Sequence, residues 1–379
     1  MLTDPAYIDP HSGRTWPLSV PRWHGDGADG ARVPLMLTPL PGIGREAIVV
    51  SERSLWRYRS ALPFLPDAPI TLGEGCTPLI GGRYQGVPVH FKCEWMNPSG
   101  SFKDRGASVM LSLLRSQGID AVLEDSSGNG GAAVATYAAA GGLRARIMVP
   151  ASTSPAKTVQ ARAAGAEITL VPGTRQDCAD AALGEADNIF YASHNWHPFF
   201  LQGTKTLAYE LWEDLGFRAP DNVIVPCGAG SNVLGCGIGF AELLRAGQIE
   251  KLPRIFAAQP TNCAPIARAF LNEPDEPARP TIAEGTAIAQ PMRLREVLGV
   301  LRESAGGAVM LSEAEIAEAA LALARNGIYV EPTCAQAASA FGKLIRAGRI
   351  DPGETTVVVL TGTGLKDTRR YAELLGIAI

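Results

Sequence analysis

Cysteine is sparse and unpaired in this sequence. The seven thiols, at positions 76, 93, 178, 227, 236, 263 and 334, are odd in number and form no Cys-x-x-Cys pair. That pattern argues against a disulfide framework or a zinc ribbon and fits a reducing compartment. A basic excess is also missing: 34 Lys and Arg stand against 38 Asp and Glu, for a net charge of −4. No electrostatic footprint for nucleic acid or an anionic membrane follows from that balance. No apolar run approaches the ~18 residues of a membrane span, and the stretch MLTDPAYIDPHSGR lacks an apolar signal core. Charged residues are few, 19% against 46% hydrophobic, so the chain can bury a sizeable core and general disorder is excluded. The expectation is a globular, cytoplasmic protein with neither nucleic-acid nor membrane partner.

What the sequence does have is glycine and proline, 41 and 28 residues, scattered as punctuation between regular elements. Residues 1–75 read as an irregular extension rich in Pro, Trp and Arg. From about residue 87 a βα rhythm sets in. VPVHFKC (87–93), AVLED (121–125), RARIMVP (144–150), AEITLVP (166–172), NVIVPC (222–227), RIFAAQ (254–259) and TTVVVL (355–360) read as strands. Helical spacing separates them, as in DRGASVMLSLLRSQG (104–118) and AAVATYAAA (132–140). Apolar strands alternating with helices predict an α/β fold with mainly parallel sheets covered on both faces. Ligands of such sheets sit at the carboxyl ends of strands, so the loops after these runs are the candidates for chemistry.

Four loops stand out: NPSGSFKDRG (97–106), DSSGNGG (125–131), PCGAGSN (226–232) and TGTGLKD (361–367). In PCGAGSN, Gly228, Ala229, Gly230, Ser231 and Asn232 lie where a strand turns into a helix. Small residues, free N–H groups and the helix dipole there suit a phosphate, although a tight βα turn alone would also use them. A dinucleotide fingerprint fits poorly, because Val233 stands where a glycine is needed. The GTKT segment (203–206) shares a Lys-Thr with a P-loop but lacks its upstream glycine. Lys103 opens a helix, where the dipole disfavours an ammonium and lowers its pKa, the condition a nucleophilic lysine needs. In DSSGNGG, Ser127, Gly128, Asn129 and Gly130 open another helix. They could hold a carboxylate, or simply cap the helix.

Taken in order, NPSGSFKDRGA, SSGN, PCGAGSN and TGTGLKD resemble the pyridoxal-phosphate (PLP) enzymes of fold type II, closest to the threonine synthase-like group. LGEGCTPL (72–79) and GTKTLAYELWEDLG (203–216) extend the resemblance over about residues 71–375. It implies two three-layer α/β domains with PLP in the cleft between them, and often a homodimer. The implied boundaries are an extension at 1–75 packed on the large domain, a large PLP-binding domain of 76–103 and 196–379, and a smaller mobile domain of 104–195. Lys103 would be the catalytic lysine bonded to PLP. Gly228, Ala229, Gly230, Ser231 and Asn232 would hold the phosphate, Asn129 the ring hydroxyl, and Thr361 would face the pyridine nitrogen. Ser127, Gly128, Asn129 and Gly130 would bind the substrate carboxylate.

Three positions depart from that pattern around the expected substrate. Phe200 stands where the group carries an arginine for the substrate phosphate, Thr363 where it carries histidine, and Gly130 where it carries threonine. A phenyl ring cannot make the bidentate bonds of a guanidinium. Asn195, His197 and Phe200, in SHNWHPFFLQGTKT, are therefore candidate substrate-binding residues, and His194 with His197 is too thin a pair for a metal site. The expected function is PLP-dependent elimination or replacement at Cβ or Cγ of a small amino acid. True threonine synthase, a threonine/serine dehydratase, and a non-catalytic PLP or amino-acid binding protein are the alternatives.

Overall fold

The computed structural model describes residues 4–27 and 30–378. Strands β1 (Leu79–Tyr84) and β2 (Val87–Lys92) form an antiparallel hairpin. They are followed by β3 (Ala121–Glu124), β4 (Arg144–Pro150), β5 (Glu167–Val171) and β6 (Phe190–Tyr191). Then come β7 (Asn222–Pro226), β8 (Arg254–Pro260), β9 (Gly307–Leu311) and β10 (Thr356–Val359). The helices that matter here are α1 (Lys103–Ser116), α2 (Asn129–Gly141), α3 (Pro198–Thr204), α4 (Thr206–Asp214), α5 (Ser231–Arg245) and α6 (Pro332–Arg346). Among the described residues no helix is long and apolar enough to cross a membrane.

The chain divides into two compact units. One comprises Met1–Gly75 with Lys103–Thr206, the other Cys76–Phe102 with Leu207–Ile379. In the first, a four-stranded parallel sheet runs in the order β5-β4-β3-β6. Its core joins Tyr7, Leu55 and Trp56 to Val109 and Leu113 of α1, Val134 of α2, and Phe199 and Phe200 of α3. Trp56 also donates its indole N–H to the Ser108 hydroxyl at 3.0 Å. The N-terminal residues are grouped with this unit. Their apolar side chains find a core at α1, and short antiparallel strands at Ala6–Ile8, Thr15–Pro17 and Met36–Leu37 hold them in shape. The unit runs to residue 206, and α3 packs on α1 within it.

That helix crossing is close. A Cβ on Gly106 of α1 would lie 2.5 Å from the Phe200 ring, and one on Gly203 of α3 would run into the Arg105 carbonyl. Two glycines thus let the backbones approach, and Phe200 fills the space left.

In the second unit a six-stranded sheet has the order β9-β8-β7-β10-β2-β1, parallel except at the β1 edge. Its central strands are nearly continuous apolar runs, as a sheet buried on both faces requires. A charge cluster centred on the fully buried Lys92 belongs to the same unit. The Lys92 ammonium donates to Glu210 at 2.6 Å, to Asp214 at 2.7 Å and to the Thr77 carbonyl at 2.7 Å. Paired and fully hydrogen-bonded, it is compensated for its burial.

Candidate active site

In the first unit, β3 ends at Glu124 and the turn of residues 125–128 leads into α2. Gly128 precedes the helix, and no side chain caps it there. The Ser126 hydroxyl, itself buried, accepts the Gly128 N–H at 3.3 Å and fixes the turn. Ser127 and Asn129 are half-buried, Gly128 is exposed and Gly130 is buried. A helix start without a side-chain cap is a place where an anion can take the cap's role.

Lys103 is the first residue of α1 and is half-buried, its ammonium 5.6 Å from the centre of the Phe200 ring. Two other lysines of the chain are fully buried and committed to partners. Lys92 serves the charge cluster described above, and Lys205 donates to the Ala61 carbonyl at 2.7 Å. The lysine of the GTKT segment is thus a core tether, which removes the remaining likeness to a P-loop.

The segment after β6 returns to the same turn. Its residues make a polar network with little local signal in the sequence. Glu124 accepts the His194 backbone N–H at 3.0 Å and pairs with His194 Nδ1 at 2.9 Å. Asp125 accepts from the Tyr191 hydroxyl at 2.7 Å and the Ser193 hydroxyl at 3.3 Å. Burial pushes the Glu124 carboxyl up to about 7, against the pull of the His194 N–H and the Lys103 charge. Burial, and then the Lys103 charge, hold the His194 imidazole well below its ordinary value. Asp125 is raised by burial and next by Glu124. The one visible sign was two adjacent acids at the end of a buried strand.

A pH dependence follows. Unfolded Glu124 titrates near 4.5 and folded Glu124 near 7, so the folded chain holds a proton in that window and stability falls as pH rises through it. Glu124→Gln removes this loss. Relative to the wild type, the variant should gain roughly 2–3 kcal/mol between pH 5 and pH 7, read by urea unfolding. A difference that stays constant with pH would place the proton elsewhere.

Asn195 is half-buried, its N–H donating to the Ser193 hydroxyl at 3.3 Å. His197 is turned inward and caps α3, its Nδ1 accepting the Phe199 N–H at 3.3 Å, with its ring 5.9 Å from both Phe190 and Phe199. Phe200 is fully buried, 5.7 Å from the His194 ring.

In the second unit, β7 runs through Cys227 into the glycine loop and α5. Gly230 has φ +93, a left-handed conformation, and a Cβ on it would collide with Val297. A Cβ on Gly228 would sit 3.2 Å from Ile288 Cγ1 and from Thr286 Cα. Gly230 caps α5 without a side-chain bond, and Ser231 and Asn232 are buried in its first turn. Both polar atoms of the Asn232 amide are buried without a partner. An orphaned amide beside an uncapped helix start and a bare glycine cradle fits a phosphate group.

The last loop of this unit is tied to the segment before Lys103. Phe102 donates its N–H to the Thr361 carbonyl at 3.0 Å, and Thr363 donates its N–H to the Gly100 carbonyl at 3.1 Å. Thr361 is buried, its hydroxyl 3.3 Å from the Cys334 sulfur at the start of α6. That sulfur also accepts the Gly362 N–H at 3.0 Å, and burial, with the charge of Glu331, pushes the thiol up to about 12. Thr363 caps the short turn Gly364–Lys366 by accepting the Leu365 N–H at 3.3 Å.

Comparison with known proteins gives a consistent picture. The profile of the family described as pyridoxal-phosphate dependent enzymes matches residues 70–362. Threonine synthase of Methanocaldococcus jannaschii is 34% identical over 338 residues, covering 86% of this chain and 84% of that protein. Threonine synthase of Mycobacterium tuberculosis is 35% identical over 319 residues, covering 82% and 87%. Among solved structures, threonine deaminase isoform 2 of Solanum lycopersicum superposes with a TM-score of 0.67 at 23% identity, covering 79% of this chain and 83% of that one. A fungal L-serine ammonia-lyase from Rhizomucor miehei gives 0.66 at 23%, covering 79% and 98%.

Proposed function

Since the chain belongs to the pyridoxal-phosphate dependent enzyme family, we propose that it carries out elimination or replacement at Cβ or Cγ of a small amino acid. The chain is a threonine synthase-like PLP enzyme with a fold type II architecture. When bound, PLP supplies an electron sink that stabilises negative charge at the substrate Cα.

The chain's own residues take the following parts. Lys103 would hold the cofactor and would serve as the base for the substrate Cα proton. Gly228 to Asn232 hold the phosphate, and the unpartnered Asn232 amide supports that role. Asn129 would be placed to bond the ring hydroxyl of the cofactor. The turn of Ser127 to Gly130 binds the substrate carboxylate. The smaller unit's sheet and turn would carry the mobile part.

The observation that carries the reaction type is the pairing of Thr361 with Cys334. A hydroxyl whose neighbour is a thiol raised to about 12 offers no negative charge to a pyridine nitrogen. Beside a neutral hydroxyl the ring nitrogen of the cofactor would draw in less charge, which supports elimination and replacement over transamination. Phe200, buried and apolar where the resemblance expects arginine, favours a substrate without phosphate.

The test uses the PLP-loaded protein. With L-threonine or L-serine the expected result is a shift of the cofactor's visible absorption and release of 2-oxo acid and ammonia, or transfer to an added nucleophile. Efficient phosphate release from O-phospho-L-homoserine would instead make it a true threonine synthase. A spectrum indifferent to every amino acid would leave only a binding role.

A further inference from the structure

We propose that the Glu124–His194 pair sets the substrate class, admitting an amino acid whose side chain ends in a hydroxyl or an amine and turning away one that carries an anionic group. The inference rests on the reaction proposed above and names the substrate for the same site.

Position is the first argument. Glu124 is the last residue of β3, at the carboxyl edge of a parallel sheet where ligands of such sheets bind. His194 lies flush against the turn that opens α2. A Cβ at Gly130 would stand 2.8 Å from both His194 Cε1 and Nδ1, and 3.0 Å from the Ser126 hydroxyl. No residue larger than glycine fits the turn while His194 keeps its place. The glycine at 130 and the placement of His194 therefore depend on each other through packing. Phe200 adjoins them, with its ring 5.7 Å from His194 and 5.6 Å from the Lys103 ammonium.

Charge is the second argument. Glu124 is wholly buried and His194 nearly so, and their contact is 2.9 Å. With the carboxyl raised to about 7 and the imidazole lowered, the pair carries a net charge of zero or minus one near neutrality. Asp125, bonded by Tyr191 and Ser193, adds a second buried carboxyl. The positive charges acting on the pair are those of Lys103, which the chemistry occupies, and Arg175. A phosphorylated side chain brings close to two negative charges at neutral pH. Placed beside buried carboxyls, it meets both desolvation and repulsion. A hydroxyl or an ammonium brings no such repulsion.

The experiment titrates the PLP-loaded protein by visible absorption with L-serine, L-threonine, L-2,3-diaminopropionate, O-phospho-L-serine and O-phospho-L-homoserine. The expected dissociation constants are at least ten-fold lower for the hydroxyl and amino side chains than for the phosphorylated ones. Glu124→Gln keeps the hydrogen-bonding shape and removes the charge. It should narrow that ratio at least five-fold, whereas a merely structural residue would weaken all five ligands alike. Thermal unfolding of the variant, with a single cooperative transition, verifies that the fold persists. Tighter binding of either phosphorylated amino acid by the wild type, or an unchanged ratio in the variant, overturns the proposal and leaves the reaction type standing. No response to any of the five overturns the reaction type, and this inference with it.

Discussion

Replacing Lys103 with alanine should lower turnover of any amino-acid substrate by about a thousand-fold or more, the usual scale for loss of a combined nucleophile and base. Three features set Lys103 apart. It is the first residue of α1. It is half-buried, which gives it access that the enclosed Lys92 and Lys205 lack. Its ammonium lies 5.6 Å from the centre of the Phe200 ring, so an apolar wall stands on one side of it. The structural readout is independent of rate. Borohydride reduction of the PLP-loaded wild type should leave a cofactor adduct on the peptide containing Lys103, and none on the variant. An adduct on another lysine at equal occupancy in both proteins would move the catalytic role elsewhere.

Phe200→Ala should destabilise the fold by about 3–5 kcal/mol, the range for truncating a fully buried phenylalanine. The side chain is wholly enclosed, and the glycine at 106 leaves room to receive it. Neither α1 nor α3 can close the gap, because Gly203 already rests on the Arg105 carbonyl. Collapse around the vacancy is thus blocked on the backbone side, which puts the expected cost toward the upper part of the range. Urea unfolding reads it as a lower midpoint with an unchanged slope. A loss below about 1 kcal/mol would mean that neighbouring side chains refill the space.

The sequence carried the βα rhythm well, because buried parallel strands are short apolar runs and these announce themselves. β4, β7, β8 and β10 fall within a residue or two of their expected places. β1 and β9 were missed for opposite reasons. LIGGRY in β1 is an exposed edge with two glycines, and GAVML in β9 begins inside a glycine pair without a clear alternation. The loops at 97–106, 125–131 and 226–232 were legible since glycine and hydroxyl residues at strand ends are a local signal. Contacts between distant residues were not. Glu124 meets His194 across 70 positions, and no local pattern encodes that pairing. The same holds for Tyr7 and Trp56, which share a core with α1 and α3, and for Cys334 beside Thr361. The inward turn of His197, which caps a helix, was equally without a local signal.

The strand order of the larger sheet bears on how the chain is made. β2 leaves the ribosome early, yet its parallel neighbour β10 follows more than two hundred and fifty residues later, as the register of His90 with Val357 requires. Until β10 arrives, β2 has no partner in the sheet but the edge strand β1, and β7 lacks a neighbour on one side. All of Met1–Gly75 and Lys103–Thr206 is by then already synthesised. One unit can therefore settle during translation, while the other waits for β10, a long-range closure of the kind that slows folding. A stop placed before Thr356 would leave the larger sheet split in its middle.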